Sequence, residues 1–383
     1  MDFMETIESI KAESASVQKL FGGDGQGVRS ARKTEGYGAK LAEAATFIAE
    51  VFSGRRSPAH LQEAMTTSDF PQLFGDVLDR MLLANYLEAP ASYKAYMKTS
   101  TVRDFRTVKR FAIDGAEATL SVVPQDTEYP ESSVADSQYS YAVQKYGRRL
   151  PFSWETIMND DLGAFRDMVE RMGRSARRTE ERFATDLFVN STGPDPTFFS
   201  AGNLNIITGN PALSIAGLQT GMTTLQTQLD SEGEPILNNG VILVVPPSLE
   251  VTAMNILNAT EIRPQTSGGA TAAQTLVVGN WIAPRITLAV NYYLPIVNTT
   301  SGTTAWYLFA DPNMGRPAAE LGFLAGHESP EVFVKSSDQV RAGGGGDTDP
   351  MGGNFDTDSI HYKVRHVLGG TLLDPKAAAS STG

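Results

Sequence analysis

The chain of 383 residues contains no cysteine. Disulfide bonds, thiolate nucleophiles and cysteine-ligated zinc sites are therefore excluded. Histidine is also scarce, with four residues, so that acid–base chemistry near neutral pH has few candidate groups. From this composition we expect no enzymatic activity, no catalytic residue, no cofactor and no metal site.

Long apolar runs and basic charge are lacking as well. No stretch approaches the roughly 20 apolar residues that a membrane-spanning helix requires. The first residues, MDFMETIESIKAES, lack the basic start and apolar core of a signal peptide, which favours a cytosolic origin. The net charge of −12 argues against a dedicated DNA-binding protein, because phosphate neutralisation requires a basic surface.

Catalytic and phosphate-binding motifs are missing too. The glycine-rich stretches at 22–27 and 343–346 lack the strand, helix and Lys-Ser/Thr ending of a phosphate loop. Asp-Thr-Asp occurs at 347–349 and 356–358, but no glutamate follows at the distance that a calcium loop needs. A Gly-x-Ser-x-Gly elbow and an HExxH helix are absent.

Amphipathic helices are predicted in the first part of the chain. Residues 39–52 and 71–87 each carry an apolar stripe at helical spacing. Phe3, Ile7, Ile10, Val17 and Leu20 keep approximate helical spacing before glycines interrupt the pattern. Because such short helices bury little surface alone, we expect an arm that packs on something else.

From residue 105 onward the pattern changes to a period of two. Asp114-Gly115 separates two β-like runs, and Tyr139, Tyr141 and Val143 alternate with polar residues. Between the runs lies the acidic loop 124–132, PQDTEYPES. An isolated hairpin is marginally stable in water, so we expect this long hairpin to rest on a neighbouring surface.

The strongest helix prediction covers residues 161–190. An apolar stripe runs along it, and arginines occupy much of the remaining surface. The arginines lie at positions 166, 171, 174, 177, 178 and 182. One interpretation is an ordinary solvated face, since exposed ion pairs contribute little. The other is a docking surface for an acidic partner.

Strands and helices alternate without a repeat over residues 196–340. The continuous apolar run at 241–245 predicts a strand that is buried on both faces, and a short helix follows it. Further strands are predicted at 275–279, 285–290, 305–310 and 331–335. After the glycine loop at 342–346 a strand returns the chain to an earlier part of the fold, and the last residues resemble a disordered tail.

The returning strand contains two of the four histidines. In a strand His361, Lys363 and Arg365 share one face. His366 lies five residues from His361 and therefore on the opposite, apolar face, so the two histidines cannot bind one metal without a bulge. We expect an ordinary strand with a basic polar face, in which His366 is buried and hydrogen-bonded.

The order of these elements resembles the major capsid proteins of tailed bacteriophages of the Hong Kong 97 type. Four stretches are similar to recurring stretches of that family: NYLEAP at 85–90, LVVPPSLEVTA at 243–253, FLAGHESPEV at 323–332 and IHYKVRHVLG at 360–369. The resemblance covers roughly residues 65–378. Residues 1–60 lie outside it.

The resemblance implies an α+β phage capsid fold. Its parts would be a helical N-terminal extension at 1–60, an N-arm at 61–105, an E-loop hairpin at 106–152, a P-domain with a long spine helix at 153–195 and 345–378, and a mixed α/β A-domain at 196–344. Residues 1–60 carry eight acidic and eight basic residues, so we expect a retained arm that packs on the inner shell or on neighbouring subunits.

The function implied is a structural one in the virion. The chain would assemble in the host cytoplasm, through pentamers and hexamers, into an icosahedral head that encloses double-stranded DNA. Partners would be further copies, with scaffold, portal and decoration proteins also possible, and non-specific contact with DNA; no membrane is expected. An encapsulin-like nanocompartment shell is the alternative. An enzyme and a non-assembling binding module are less favoured.

From the distribution of charged residues we predict a site of contact between subunits. The E-loop of one subunit would lie on the P-domain of its neighbour, where acidic side chains meet the arginine-rich helix. The candidates are Asp126, Glu128 and Glu131 on the loop and Arg174, Arg177 and Arg178 on the helix. Lys109 and Lys145 lie near the hairpin, but no motif identifies a partner for a covalent cross-link.

Overall fold

The computed structural model describes most of the chain as a mixed helix and strand fold. The described residues are 37–52, 55–56, 70–114, 122–123, 125–126, 128, 135–153, 162–230, 233–238, 240–262, 278–313, 316–339 and 353–383. Among them, no helix is both long enough and apolar enough to cross a membrane.

Seven α-helices form where apolar stripes or capping signals occur. They are α1 Tyr37–Phe52, α2 Phe70–Glu88, α3 Tyr93–Tyr96, α4 Leu162–Phe188, α5 Ile215–Gln226, α6 Pro247–Asn258 and α7 Leu294–Val297 within the described residues. Ser214 caps α5 by accepting a hydrogen bond from the Gly217 amide, and α6 begins with a proline in its first turn. The helices predicted at 39–52, 71–87 and 161–190 are confirmed within a few residues.

A five-stranded sheet is built around the long strand β14. Its members are β1 Lys98–Val102, β4 Gln144–Ser153, β12 Ala319–Leu324, β13 Glu331–Val334 and β14 Ser359–Leu372. β4 pairs antiparallel with one edge of β14. Along the other edge, β13 pairs antiparallel with residues 362–365 and β12 with residues 368–372. β1 extends the sheet parallel to β12. The predicted returning strand is thus the central strand of this sheet.

The helix α4 packs on the five-stranded sheet and on α2. Met172, Ala176, Ala184 and Phe188 are buried along it. Gly173 permits the close crossing with α2, since a Cβ atom there would lie 2.5 Å from the carbonyl oxygen of Leu82. Replacement of this glycine would push the two helices apart.

A four-stranded sheet forms the second half of the molecule. Its order is β10 Ile286–Val290, β7 Val241–Val245, β11 Trp306–Ala310 and β15 Ala378–Ser381. β7 is buried over all five residues, as its apolar run predicted. Two-stranded pairs also form: β5 Val189–Asn190 with β6 Gly193–Pro194, and β8 Glu261–Ile262 with β9 Val278–Gly279.

Aromatic residues at the end of α4 join the two sheets. The Phe188 ring lies edge-on to the rings of Tyr307 and Phe309 on β11, with centroids 5.2 and 5.3 Å away. Leu321 and Phe323 of β12 belong to the same buried cluster. One continuous core therefore holds both sheets against α4.

The predicted hairpin is present as strands β2 Val108–Asp114 and β3 Ala135–Tyr141. They pair antiparallel from Val108 opposite Tyr141 to Asp114 opposite Ala135. The predicted turn at Asp114-Gly115 cannot be assessed, because residues 115–121 lie outside the described residues. The aromatic side chain of Phe111 is 59% exposed on this hairpin.

One expectation about the last part of the chain is wrong. The tail after residue 378 is not disordered but forms β15, whose four residues are buried. Its small side chains fit beside the bulky ones of β11, with Ala378 opposite Phe309 and Ser380 opposite Tyr307. In addition, β12 and β13, predicted to belong with 196–344, pair with β14 in the five-stranded sheet.

Candidate functional site

A buried carboxylate on α4, that of Glu180, binds donors from four elements. Its Oε1 accepts hydrogen bonds from the Tyr86 hydroxyl of α2, at 2.6 Å, and from His366 Nε2 of β14, at 2.7 Å. Its Oε2 accepts from the Tyr93 hydroxyl of α3, at 2.8 Å, and from Arg177 Nη1, at 2.6 Å. Glu180 has no exposed surface. We call these five residues the Glu180 cluster.

The electrostatics of this cluster favour the ionised carboxylate. Burial alone would raise the pKa of Glu180, but the hydrogen bond and charge of His366 and the charge of Arg177 outweigh it, so the pKa is lowered. Burial and the nearby carboxylate raise the pKa of Tyr86 and Tyr93, which stay protonated and donate. The cluster is a structural clamp with all four donors engaged.

Of the three predicted arginines, Arg177 belongs to the cluster and not to a surface. It is 3% exposed, and its guanidinium stacks 3.9 Å from the centroid of the Tyr86 ring. The expectation that Arg177 contacts a neighbouring subunit is therefore wrong. A possible signal was its position between Gly173 and Glu180 on one helix face, where the glycine marks a close helix crossing.

The other predicted contact residues have different surroundings. Arg174 is partly exposed and donates to Asn85 Oδ1 of α2 at 3.0 Å, whereas Arg178 is exposed on another side of α4. Asp126 and Glu128 are exposed, and Glu131 lies outside the described residues. The structure does not bring the three arginines together as one patch.

A second buried carboxylate, that of Glu320 on β12, holds the base of the hairpin. Its oxygens accept from Arg110 of β2, with Nη2 to Oε1 at 2.7 Å, and from the Tyr141 hydroxyl of β3 at 2.7 Å. Ser100 of β1 also donates to it. Burial alone would raise the pKa of Glu320, but hydrogen bonds from Arg110, Ser100 and Tyr141 lower it. The hairpin is thus anchored within its own subunit at the base. This anchor was missed because its members are far apart in sequence.

The expectation for the histidines of β14 is confirmed for His366 but wrong for His361, which is buried instead of lying on an exposed basic face. His366 is 3% exposed and hydrogen-bonded to Glu180, which confirms the expectation for it. His361 lies near Arg149 Nη2, at 3.3 Å, and burial together with that charge lowers its pKa. Within the described residues, no three His, Asp or Glu side chains are grouped so that they could hold a metal ion.

A groove runs between α4 and β4. A cavity of about 580 Å³ is lined by Tyr146, Gly147, Arg148 and Leu150 of β4, Val364 and His366 of β14, and Arg171, Met172, Ser175, Ala176 and Thr179 of α4. A second cavity of about 370 Å³ shares Tyr146, Ser175 and Thr179 and adds Arg178, Arg182, Phe183, Asp186 and Tyr293. We call the two together the α4–β4 groove.

Comparison with known proteins places this fold in a family. The model of the "Phage capsid protein" family matches residues 137–381, which include α4 and the strands of both sheets from β4 to β15. The chain therefore belongs to the phage capsid protein family, and it is a capsid shell protein, a component of the virion. No curated protein matches the sequence.

Solved structures with a similar chain course come from several phages. A chain from Gordonia phage Cozz is 14% identical, with a TM-score of 0.40 and coverage of 74% of this chain and 83% of the other. A chain from Mycobacterium phage Patience is 14% identical, with a TM-score of 0.41 and coverage of 82% of this chain and 90% of the other. The capsid chain of an empty GTA particle is 11% identical, with a TM-score of 0.45 and coverage of 76% of this chain and 89% of the other. The family assignment depends on the matched family model and not on these similarities.

The Glu180 cluster predicts a defined dependence of stability on charge and pH. Glu180→Gln leaves the buried Arg177 without its counter-charge, so the free energy of unfolding should fall by about 3–5 kcal/mol at pH 7. Because the folded-state pKa of Glu180 is lowered, its contribution is present above the ordinary pKa of glutamate and lost as the pH falls through the lower folded value. The variant should lack this acid-side loss in urea titrations across pH.

The matched control is Glu170→Gln on the same helix. Glu170 Oε2 lies 3.9 Å from Arg174 Nη1 in a partly exposed pair, so the cost should stay below about 1 kcal/mol. Equal destabilisation by the two substitutions would contradict the assigned role of Glu180.

The Glu320 anchor predicts a local effect on the hairpin. Glu320→Gln weakens charge-assisted hydrogen bonds worth about 1.5–3 kcal/mol, so amide hydrogen exchange should accelerate by about tenfold or more in 108–114 and 135–141. Exchange in β7 and β11 should stay unchanged. The control is Asp104→Asn, which removes only the exposed pair with Arg106. Uniform acceleration throughout the chain would count against a local anchor.

Proposed function

We propose that this chain is the major shell subunit of a phage head. Copies assemble through pentamers and hexamers into an icosahedral shell, in the host cytoplasm, and the shell encloses double-stranded DNA. The observation that carries this proposal is the family match over residues 137–381, which takes in both sheets and α4. That match favours a phage head over the encapsulin-like alternative.

The geometry of the hairpin supports a role in contacts between copies. Its base is fixed by Glu320, while Phe111 exposes an aromatic ring further along β2. A second copy that covers the hairpin would remove this apolar surface from water. Head-to-tail contacts of this kind close into rings, because the same two different surfaces meet at every subunit.

The contacts that we propose pair the acidic loop at 124–132 with exposed arginines on α4 of the neighbouring copy. Arg174 and Arg178 remain as receiving residues, since Arg177 is buried. Scaffold, portal and decoration proteins are further candidate partners. Contact with packaged DNA would be weak and independent of sequence, as the net charge of −12 leaves little basic surface.

Electron microscopy of the expressed protein tests the proposed assembly. Closed shells with five-fold and six-fold clusters of subunits, and DNA inside particles isolated from infected cells, are the expected result. A chain that sediments as a monomer under all assembly conditions would refute the shell, and protein cargo instead of DNA would favour the nanocompartment.

Charge reversal tests the proposed contact between copies. Asp126→Lys with Glu128→Lys should weaken formation of rings and make assembly less sensitive to salt, because screened attractions are lost. Glu328→Lys with Glu43→Lys is the control, since it changes the net charge equally at exposed positions outside the hairpin. Intact capsids with unchanged salt sensitivity would contradict the pairing.

A further inference from the structure

Phe355 lies at the tip of a tight turn, residues 353–359, at the start of β14. It is 79% exposed, the highest value of any aromatic residue in the described part of the chain. Asp356 and Asp358 beside it are also exposed. Asp356 has no ion pair among the described residues, and the Asp358 carboxylate accepts only from the neutral side chain of Gln339. This Phe355 turn therefore presents an aromatic ring together with two uncompensated negative charges.

Hydrogen bonds hold the Phe355 turn in one shape. The Phe355 amide donates to Asp338 Oδ1 at 2.8 Å, and the Ser359 amide donates to Asn354 Oδ1 at 2.8 Å. The Asp358 amide donates to the Asn354 carbonyl oxygen at 3.0 Å. A side chain on a turn that is already ordered loses little entropy when it binds. Exposed aromatic residues of this kind are enriched at protein interfaces.

The larger cavity of the α4–β4 groove, of about 580 Å³, has the complementary composition. Its apolar surface comes from Tyr146, Leu150, Met172, Ala176 and Val364. Arg148 of β4 and Arg171 of α4 line it as well, and both are exposed. Neither arginine forms an ion pair with any residue that the structure describes. An apolar cavity with two unpaired positive charges suits an aromatic ring that is flanked by two carboxylates.

The other exposed aromatic side chains complement this cavity less well. The ammonium group of Lys145 lies over the Phe105 ring, 5.9 Å from its centroid. Phe111 shares a strand face with the exposed Lys109. Both rings would therefore bring positive charge to a positively charged cavity. Tyr292 has an asparagine and a tyrosine as its neighbours in sequence and supplies no negative charge.

The Phe355 turn does not occupy the cavity of its own chain. The turn ends at Ser359, whereas the lining of the cavity on β14 begins at Val364. Five residues of a strand span about 17 Å. Since Phe355 is also exposed in its own chain, the complementary cavity is that of another copy.

We infer that the Phe355 turn of one copy docks in the larger cavity of the α4–β4 groove of a second copy. The aromatic ring covers the apolar lining, and the two aspartates meet Arg148 and Arg171. Because the turn and the cavity are different surfaces of one subunit, the contact is head-to-tail and can repeat from copy to copy. This inference rests on the proposed self-assembly, to which it adds a contact separate from that of the acidic loop.

Thiol cross-linking between two copies tests this contact, because the chain has no cysteine. One full chain carries Thr357→Cys, and a second, with a size tag, carries Ser175→Cys at an exposed position in the cavity lining. The control partner carries Thr252→Cys, at an exposed position of α6 outside the groove. With a short bifunctional maleimide under assembly conditions, the first mixture should give the cross-linked heterodimer about tenfold faster than the control mixture.

Substitutions at the contact should change this rate in a defined way. Phe355→Ser in the first chain should lower it about tenfold, whereas Phe355→Leu should retain most of it because an apolar side chain remains. Arg148→Glu with Arg171→Glu in the second chain should lower the rate as well. Asp356→Lys in the first chain should then restore part of this loss, because like charges no longer face each other.

Equal rates for the Ser175→Cys and Thr252→Cys partners, or a rate that Phe355→Ser leaves unchanged, would overturn the inference. Faster linkage of Glu128→Cys than of Thr357→Cys to Ser175→Cys would also overturn it and assign the cavity to the acidic loop. If sedimentation shows rings or shells while Ser175→Cys stays unlinked, this contact alone is refuted. If the chain also stays monomeric, the proposed assembly fails with it.

Discussion

The buried carboxylate of Glu180 is the interaction on which the arrangement of the subunit depends. An ionised group without exposed surface is costly unless every oxygen is paired, and here the donors come from α2, α3, α4 and β14. Since β14 is the central strand of the five-stranded sheet, this one carboxylate fixes the positions of α2, α3, α4 and the sheet relative to one another.

The rest of the core extends from this point. α4 carries the chain from the Glu180 cluster to Phe188, whose ring lies among those of Tyr96, Tyr307 and Phe309. Through these rings α4 also supports the four-stranded sheet. The body of the subunit is therefore one packed unit, from which the hairpin is held by the separate clamp at Glu320. A rigid body with one anchored projection suits a subunit that must repeat the same contacts many times in a shell.

Much of this architecture follows from local patterns. The apolar stripe of α4, the buried run of β7 and the alternation in β14 predicted these elements, and the alternation also placed His366 on the buried side. The strands β12 and β15 escaped prediction because their sequences, AELGFL and AASS, lack the continuous run of large apolar residues that indicated β7, although all their residues are buried. The small residues of β15 fit because they lie beside the aromatic rings of β11. The sequence does not reveal that these two strands are neighbours.

The polar clusters could not be predicted, since each joins residues from distant parts of the chain. The only local signal that separates Arg177, which is buried, from Arg178, which is exposed one residue later, is that Arg177 shares a helix face with Gly173. The difference arises from the packing of α2 against α4. Charge alone left open whether this helix face is solvated or a docking surface, and the structure divides its arginines between the internal Glu180 cluster and exposed positions.

The central claim is that the Glu180 carboxylate couples the donors that it binds from α2, α3, α4 and β14. A double-mutant cycle with Tyr93→Phe and His366→Leu measures this directly, because the two side chains bind different oxygens of the same carboxylate. In urea unfolding of the full chain, the account predicts a coupling free energy of about 1 kcal/mol or more. Additive effects, within about 0.3 kcal/mol, would contradict it.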